Sequence, residues 1–234
     1  SVSGFWVGHC PDCLPATPRS APRYSAGLYD RYQGKGRNYY ALTPGFAPTR
    51  SSAQMAARGE VAQQYEDVFI QTHLSENHDE IAWVKTLYPE CEDYLAVYEK
   101  YHMVRPRAVY GHCIHLSDSE WQRMATSGAI AAFCPTSNLF LGSGLFELSK
   151  AEKFGVPVTL ATDVGGGTSF NLLRTLGEAY KICQLRHYSL SALQGFYMLN
   201  KGAADCLGLS DKIGNRNPGR EYDFGVRHRR FDAL

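Results

Sequence analysis

The chain has 234 residues, with 24 Lys+Arg against 23 Asp+Glu for a formal net charge of +1, and 44% of it is apolar. That length suffices for one well-buried domain, since single α/β barrels run to roughly 200–250 residues. The charge balance argues against a nucleic-acid or membrane-surface protein, both of which need a strong basic bias. No apolar run approaches the ~18 residues of a spanning helix, and no basic-then-apolar leader opens the chain. Seven cysteines, an odd number, do not make the paired framework of a small secreted domain. The expectation is a cytoplasmic protein with mostly reduced thiols and no nucleic-acid or membrane partner.

Residues 1–37 carry Pro11, Pro15, Pro18 and Pro22 with little apolar period, and are expected to be irregular. From Tyr39 onward, β-branched or aromatic runs alternate with helical periods. The strand candidates are Tyr39–Thr43, Val68–His73, Ala108–Cys113, Ile130–Cys134 and Val156–Thr162. Asn77 with Glu80, and Ser117 with Glu120, have capping-box spacing, with Gly128 as the stop of the second helix. Gly155 sits where a helix from about Leu145 should end in a left-handed cap. Helices follow over about 170–186 and 191–207, the second stopping at Gly208. Residues 213–226 contain Asn217-Pro218-Gly219, read as a turn between short strands.

Five strand–helix units in series predict a parallel sheet with crossover helices, either doubly wound or part of a (β/α)8 TIM barrel that five units cannot close. The expected organisation is an irregular segment 1–37, a barrel portion 38–208 and a partial C-terminal β segment 209–234.

Polar residues collect at the C-terminal ends of the strand candidates, where a parallel barrel builds its site. One run ends in Gln71-Thr72-His73-Leu74-Ser75-Glu76, another in Gly111-His112-Cys113, and a third in Thr162-Asp163-Val164 ahead of Gly165-Gly166-Gly167. Two histidines and an aspartate from three strands would converge at one mouth. Imidazole nitrogen and carboxylate oxygen are zinc donors, and a zinc site with an open position lowers the pKa of bound water to roughly 7. Glu76, three residues past His73, would then serve as a proton shuttle. A lone histidine at a strand end is more often a hydrogen-bonded structural residue, so the weight lies on three candidates at equivalent strand ends. His115 reads as structural rather than as a second-layer partner of the site.

Four segments carry a resemblance. Gln71-Thr72-His73-Leu74-Ser75-Glu76-Asn77, Tyr110-Gly111-His112-Cys113, Phe133 through Gly144 and Thr162 through Thr168 closely resemble the bacterial guanine deaminases of the metal-dependent amidohydrolase superfamily. The likeness runs from about Gly36 to Phe224. It implies an amidohydrolase-type TIM barrel, incomplete here, with a remnant of a small β domain. It further implies Zn²⁺ as cofactor, with His73, His112 and Asp163 as ligands, and a purine as the small-molecule substrate, in a cytoplasmic and possible homodimeric enzyme. Glu76 would protonate the ring nitrogen and then the leaving amine, and Asp163 would take the proton of the attacking water. Glu76, Asp163 and Phe46 would line the substrate, and guanine would be hydrolysed to xanthine and ammonia.

The chain departs from that family in three ways. Members carry a His-x-His pair at the end of the first barrel strand, and these 234 residues contain none, so the sequence is expected to be truncated and impaired. In Thr43-Pro44-Gly45-Phe46-Ala47-Pro48-Thr49 the family has an Arg where this chain has Gly45, which leaves other purines, pterins or triazines as alternative substrates. After Val226 the likeness ends at Arg227-His228-Arg229-Arg230. A non-catalytic truncated product is the alternative from outside enzymology. The Cys10-Pro11-Asp12-Cys13 element lacks the context of a redox pair or of a cytidine-deaminase zinc site. The glycine run lacks the Lys and Ser/Thr of a phosphate loop.

Overall fold

The computed structural model describes residues 2–4 and 21–221, with side chains from residue 25 on. Six strands form one sheet: β1 (Val2–Gly4), β2 (Tyr40–Gly45), β3 (Phe69–Leu74), β4 (Ala108–His112), β5 (Ile130–Phe133) and β6 (Val158–Leu160). Their order in space is their order in the chain, and every neighbouring pair is parallel. A doubly wound sheet would reverse its order at a switch point. Unbroken sequential order is that of a barrel wall, and among the described residues the wall is open, with β1 and β6 at its two ends.

Parallel neighbours need crossovers, which helices supply. These are α1 (Ala21–Tyr32), α2 (Ser52–Gln64), α3 (His78–Leu87), α4 (Tyr94–Lys100), α5 (Asp118–Ser127), α6 (Pro135–Phe140) and α7 (Leu148–Phe154). After β6 come α8 (Leu172–Leu185), α9 (Ala192–Leu199) and α10 (Lys201–Cys206). The core lies between sheet and helices. Tyr40, Leu42, Ile70, Leu74, Ala108 and Tyr110, on alternate strand positions, are buried against α2, α4 and α5 residues such as Met55, Leu95 and Trp121. The intervening positions, among them Gln71, His73, Val109 and Gly111, are exposed or half-buried because they face the open barrel interior.

Several expectations are corrected. The segment 1–37 is not wholly irregular: 2–4 form β1 and 21–32 form α1. Pro22 falls in the first turn of α1, where no intrahelical N–H is needed and proline is tolerated. Pro11, Pro15, Pro18 and the Cys10/Cys13 element lie outside the described residues. The helix expected over 191–207 is two helices, because Asn200 leaves helical geometry (φ −123°, ψ −97°) and its side-chain amide donates to Phe196 O at 2.9 Å. At the C-terminus the Asn217-Pro218-Gly219 turn forms, with Arg220 N–H donating to Asn217 O at 3.1 Å. Residues 209–221 contain no strand: a single bond from Glu221 N–H to Lys212 O (2.8 Å) is no ladder. The remainder of that segment lies outside the described residues. No helix among the described residues is long and apolar enough to cross a membrane.

Candidate functional site

The site is assembled where β3, β4 and β6 end. His73 is at an interior-facing position of β3, and its ring lies 5.1 Å (centroid to centroid) from that of Phe46, just past β2. His112 reaches the same place against the alternation of its strand. In the register Gly111 pairs with His73 while His112 pairs with Leu74, whose side chain faces the helices. The backbone resolves this with left-handed dihedrals at His112 (φ 72°) and Cys113 (φ 52°), and the imidazole arrives with its ring centroid 4.5 Å from that of His73. Ser75 (φ 50°), just past β3, and Asp163 (φ 46°), in the loop after β6, adopt the same conformation. Such non-glycine residues cost of order 1–3 kcal/mol each and cluster where geometry serves a site.

Ligand atoms of His73, Glu76 and His112 lie within 4.8 Å of one another, the one such group with the spacing to hold a metal ion among the described residues. Glu76 Oε2 is 3.7 Å from His73 Nδ1, and Glu76 Oε1 is 3.7 Å from His112 Nδ1. Asp163 flanks this group: its Oδ2 is 3.9 Å from His112 Nε2, and its side chain is 40% exposed. His73, Glu76 and His112 are therefore together, and Asp163 stands beside His112 outside the group with metal-holding spacing.

One nitrogen of His112 is hydrogen-bonded and one of His73 lies against a carboxylate. His112 Nδ1–H donates to Asn138 Oδ1 at 2.9 Å, since a carbonyl oxygen only accepts, and Nε2 is left toward Asp163. His73 Nε2 contacts Glu80 Oε1 at 2.7 Å, which leaves Nδ1 toward Glu76. Metal-ligating histidines commonly have their second nitrogen placed against a carboxylate, carbonyl or water, and this arrangement is compatible with that. Two such nitrogens beside carboxylates are a donor set that suits zinc.

The loop after α6 completes the grip on Glu76. Ser143 Oγ–H donates to Glu76 Oε1 at 2.6 Å, and the Ser143 carbonyl lies 2.9 Å from His115 Nε2. His115 thus holds the loop, in line with its structural reading. A cleft of about 560 Å³ opens beside His73, His112, Asp163, Phe170 and Leu172 and continues into the barrel interior. A second concavity, about 550 Å³, is bounded by Glu76, His78 and the loop Leu141–Ser143.

Two glycines are required by close approach. Gly45 has φ +81°, and a Cβ there would lie 2.5 Å from Nη2 of Arg50, a residue only 3% exposed whose Nε–H donates to Pro44 O. At Gly167 a Cβ would fall 1.8 Å from Thr162 O, while its N–H donates to Asp163 O at 2.5 Å. The glycine run is thus a tight turn that holds the aspartate's loop.

Sequence reading missed Glu80, Asn138 and Ser143 in these roles. Glu80 had a visible signal, its capping-box spacing from Asn77, and half of that box forms: Asn77 Oδ1 accepts from Glu80 N–H at 2.9 Å. The Glu80 carboxylate turns instead to Glu76 N–H (3.2 Å) and to His73. Burial pushes the Glu80 carboxyl up, but His73, Tyr94 and the Glu76 N–H together hold it below the ordinary carboxylate range.

A model of the amidohydrolase family matches residues 17–227. The chain is 50% identical to the guanine deaminase of Escherichia coli over 218 residues, 93% of this chain and 50% of that protein. The solved E. coli structure superposes with a TM-score of 0.88 at 50% identity, over 90% of this chain and 49% of the other. A guanine deaminase from C. acetobutylicum, solved with guanine bound in its active site, superposes with a TM-score of 0.84 at 29% identity, over 91% of this chain and 52% of the other. The chain spans about half the length of the proteins it matches.

Proposed function

Because the chain belongs to the amidohydrolase family, we propose that its site is that of a zinc-dependent, cytoplasmic guanine deaminase, with His73, His112 and Asp163 as metal ligands. The observation that carries this reading is the convergence of His73, Glu76 and His112 within 4.8 Å, with Asp163 beside them. The five described cysteines are free, which agrees with a reducing compartment.

When bound, zinc supplies Lewis acidity, which lowers the pKa of a coordinated water from 15.7 to about 7. The chain's own groups do the positioning and move the protons. Asp163 Oδ2 takes the proton that the attacking water gives up. Glu76 protonates the ring nitrogen as the new C–O bond forms at the carbon bearing the amino group. It then takes up the remaining hydroxyl proton of the adduct and gives it to the amine as the C–N bond breaks, and the proton held by Asp163 returns to Glu76, so that xanthine and ammonia leave. The Ser143 hydroxyl keeps Glu76 Oε1 from turning away, and Phe46, beside His73, packs on the purine ring.

The test is ammonia release by the zinc-loaded chain from guanine, adenine, a melamine-type amine and a pterin, alongside His73→Ala. Guanine preferred over the others, and lost with His73→Ala, supports the proposal. Equal treatment of the four amines points to an aminohydrolase of another ring, for which the glycine at position 45 speaks. A wild-type chain that takes up no zinc overturns the metal assignment.

A further inference from the structure

We infer that Glu80 is a positioning residue that holds His73 and Glu76 in one arrangement, fixing which imidazole nitrogen faces the cation and where the proton-moving carboxylate stands. The inference rests on the proposed metal site and adds a residue to which no role is otherwise assigned.

Glu80 lies in the first turn of α3 and is 7% exposed. Its two oxygens are divided between two partners. Oε1 touches His73 Nε2 at 2.7 Å, and Oε2 accepts the backbone N–H of Glu76 at 3.2 Å. The first contact lies off the line of a hydrogen bond, yet a carboxylate oxygen this close to Nε2 favours the imidazole proton on that nitrogen. The Nδ1 lone pair is then left toward Glu76 Oε2, 3.7 Å away. The second contact anchors the backbone of Glu76, while Ser143 anchors its side chain. The other edge of His73 is fixed independently, because Tyr98 O–H donates to the His73 carbonyl at 2.8 Å. Backbone and ring of His73 are thus held by separate elements, α4 and α3.

A cap would have kept Glu80 turned back on Asn77 N–H. Its carboxylate instead enters a buried position beside two groups of the site, a placement that burial opposes and the His73 contact compensates. Asn138 does the same for His112 from α6. The two imidazoles are therefore oriented with opposite nitrogens free, Nδ1 on His73 and Nε2 on His112, as two strands approaching one point from different sides require.

The experiment uses the 234-residue chain with Glu80→Gln, Glu80→Ala and His73→Ala. Zinc affinity is measured by chelator competition, and the His73 tautomer in metal-free protein by ¹⁵N long-range correlation spectra. Glu80→Ala should weaken zinc by about 10- to 100-fold, and the Nε2–H form of His73 should give way to a tautomer mixture. Glu80→Gln, which keeps an acceptor oxygen, should recover part of both. Far-ultraviolet circular dichroism identifies a variant that fails to fold, in which case Glu80→Gln carries the test. Affinity within twofold of wild type together with an unchanged tautomer in a folded variant overturns the inference. Neither readout depends on substrate, so the wrong choice of ring in the activity panel leaves this conclusion standing. If the wild-type chain binds no zinc, the tautomer measurement alone decides.

Discussion

At position 76 the chemistry can be separated from the metal. Glu76→Gln puts an amide of the same shape beside His73 and His112 and removes the proton that the proposed mechanism assigns to this side chain. Zinc content measured by mass spectrometry should be unchanged, while any guanine turnover falls by at least about 10²-fold, the usual scale of general acid–base catalysis. His73→Ala and His112→Ala should instead lose the metal. Gly45 invites the opposite experiment. A side chain there must adopt φ +81° and displace the guanidinium of Arg50, so Gly45→Ala should destabilise the fold by about 1–2 kcal/mol, seen as an earlier urea midpoint. Burial should keep the thiols next to the site unreactive. Burial pushes Cys134 up to about 12 and raises Cys113 well above the ordinary thiol value. Because only the thiolate reacts, iodoacetamide at pH 8 should leave both unlabelled in the native chain and label both in denaturant.

The helices were legible where side chains satisfy orphan backbone groups. Ser117 and Glu120 form the complete box, and Gly128 ends the helix at φ 72°. Ser117→Ala should cost α5 about 1 kcal/mol. Trp121, four residues into the same helix, is 1% exposed and packs edge-on to Phe146, so Trp121→Ala should cost about 3–5 kcal/mol. Chemical denaturation of the two variants separates a capping loss from a cavity. The Asn77 box was legible only by half, since spacing identifies a residue able to cap but not a competing partner brought in from another strand. In the same way α1 escaped a reading that took every proline as a break, because a proline's effect depends on which turn of the helix it occupies.

At the scale of the whole molecule, the described residues form an open stretch of barrel wall. Its interior face is reached from the cleft beside His112, which Phe170 (84% exposed) lines, and Phe140 (68% exposed) is also at the surface. Sheet ends and apolar surface of this kind promote association. Sedimentation velocity should therefore show concentration-dependent species that diminish at low protein concentration. If the site works as proposed, these 234 residues, which contain no His-x-His pair, offer the ion fewer ligands than the resemblance implies. The zinc-loaded chain should accordingly make xanthine far below the rate of a full-length relative. Xanthine formation at an ordinary enzyme rate, followed by absorbance, would remove the need for that pair.

Alternation of apolar runs with helical periods was enough to dictate a parallel α/β wall. The placing of His73 and Asp163 at strand ends was enough to locate the mouth, because these patterns are local and strand direction orders the loops. The side from which each group enters was not local. Strict alternation would send His112 toward the helices, and only a left-handed turn at the end of β4 brings its ring to His73. Glu80 reads as a cap along the chain, yet β3 offers it a stronger partner than its own helix end does. Both outcomes depend on which groups compete for one space, and that competition exists only after strands and helices have packed.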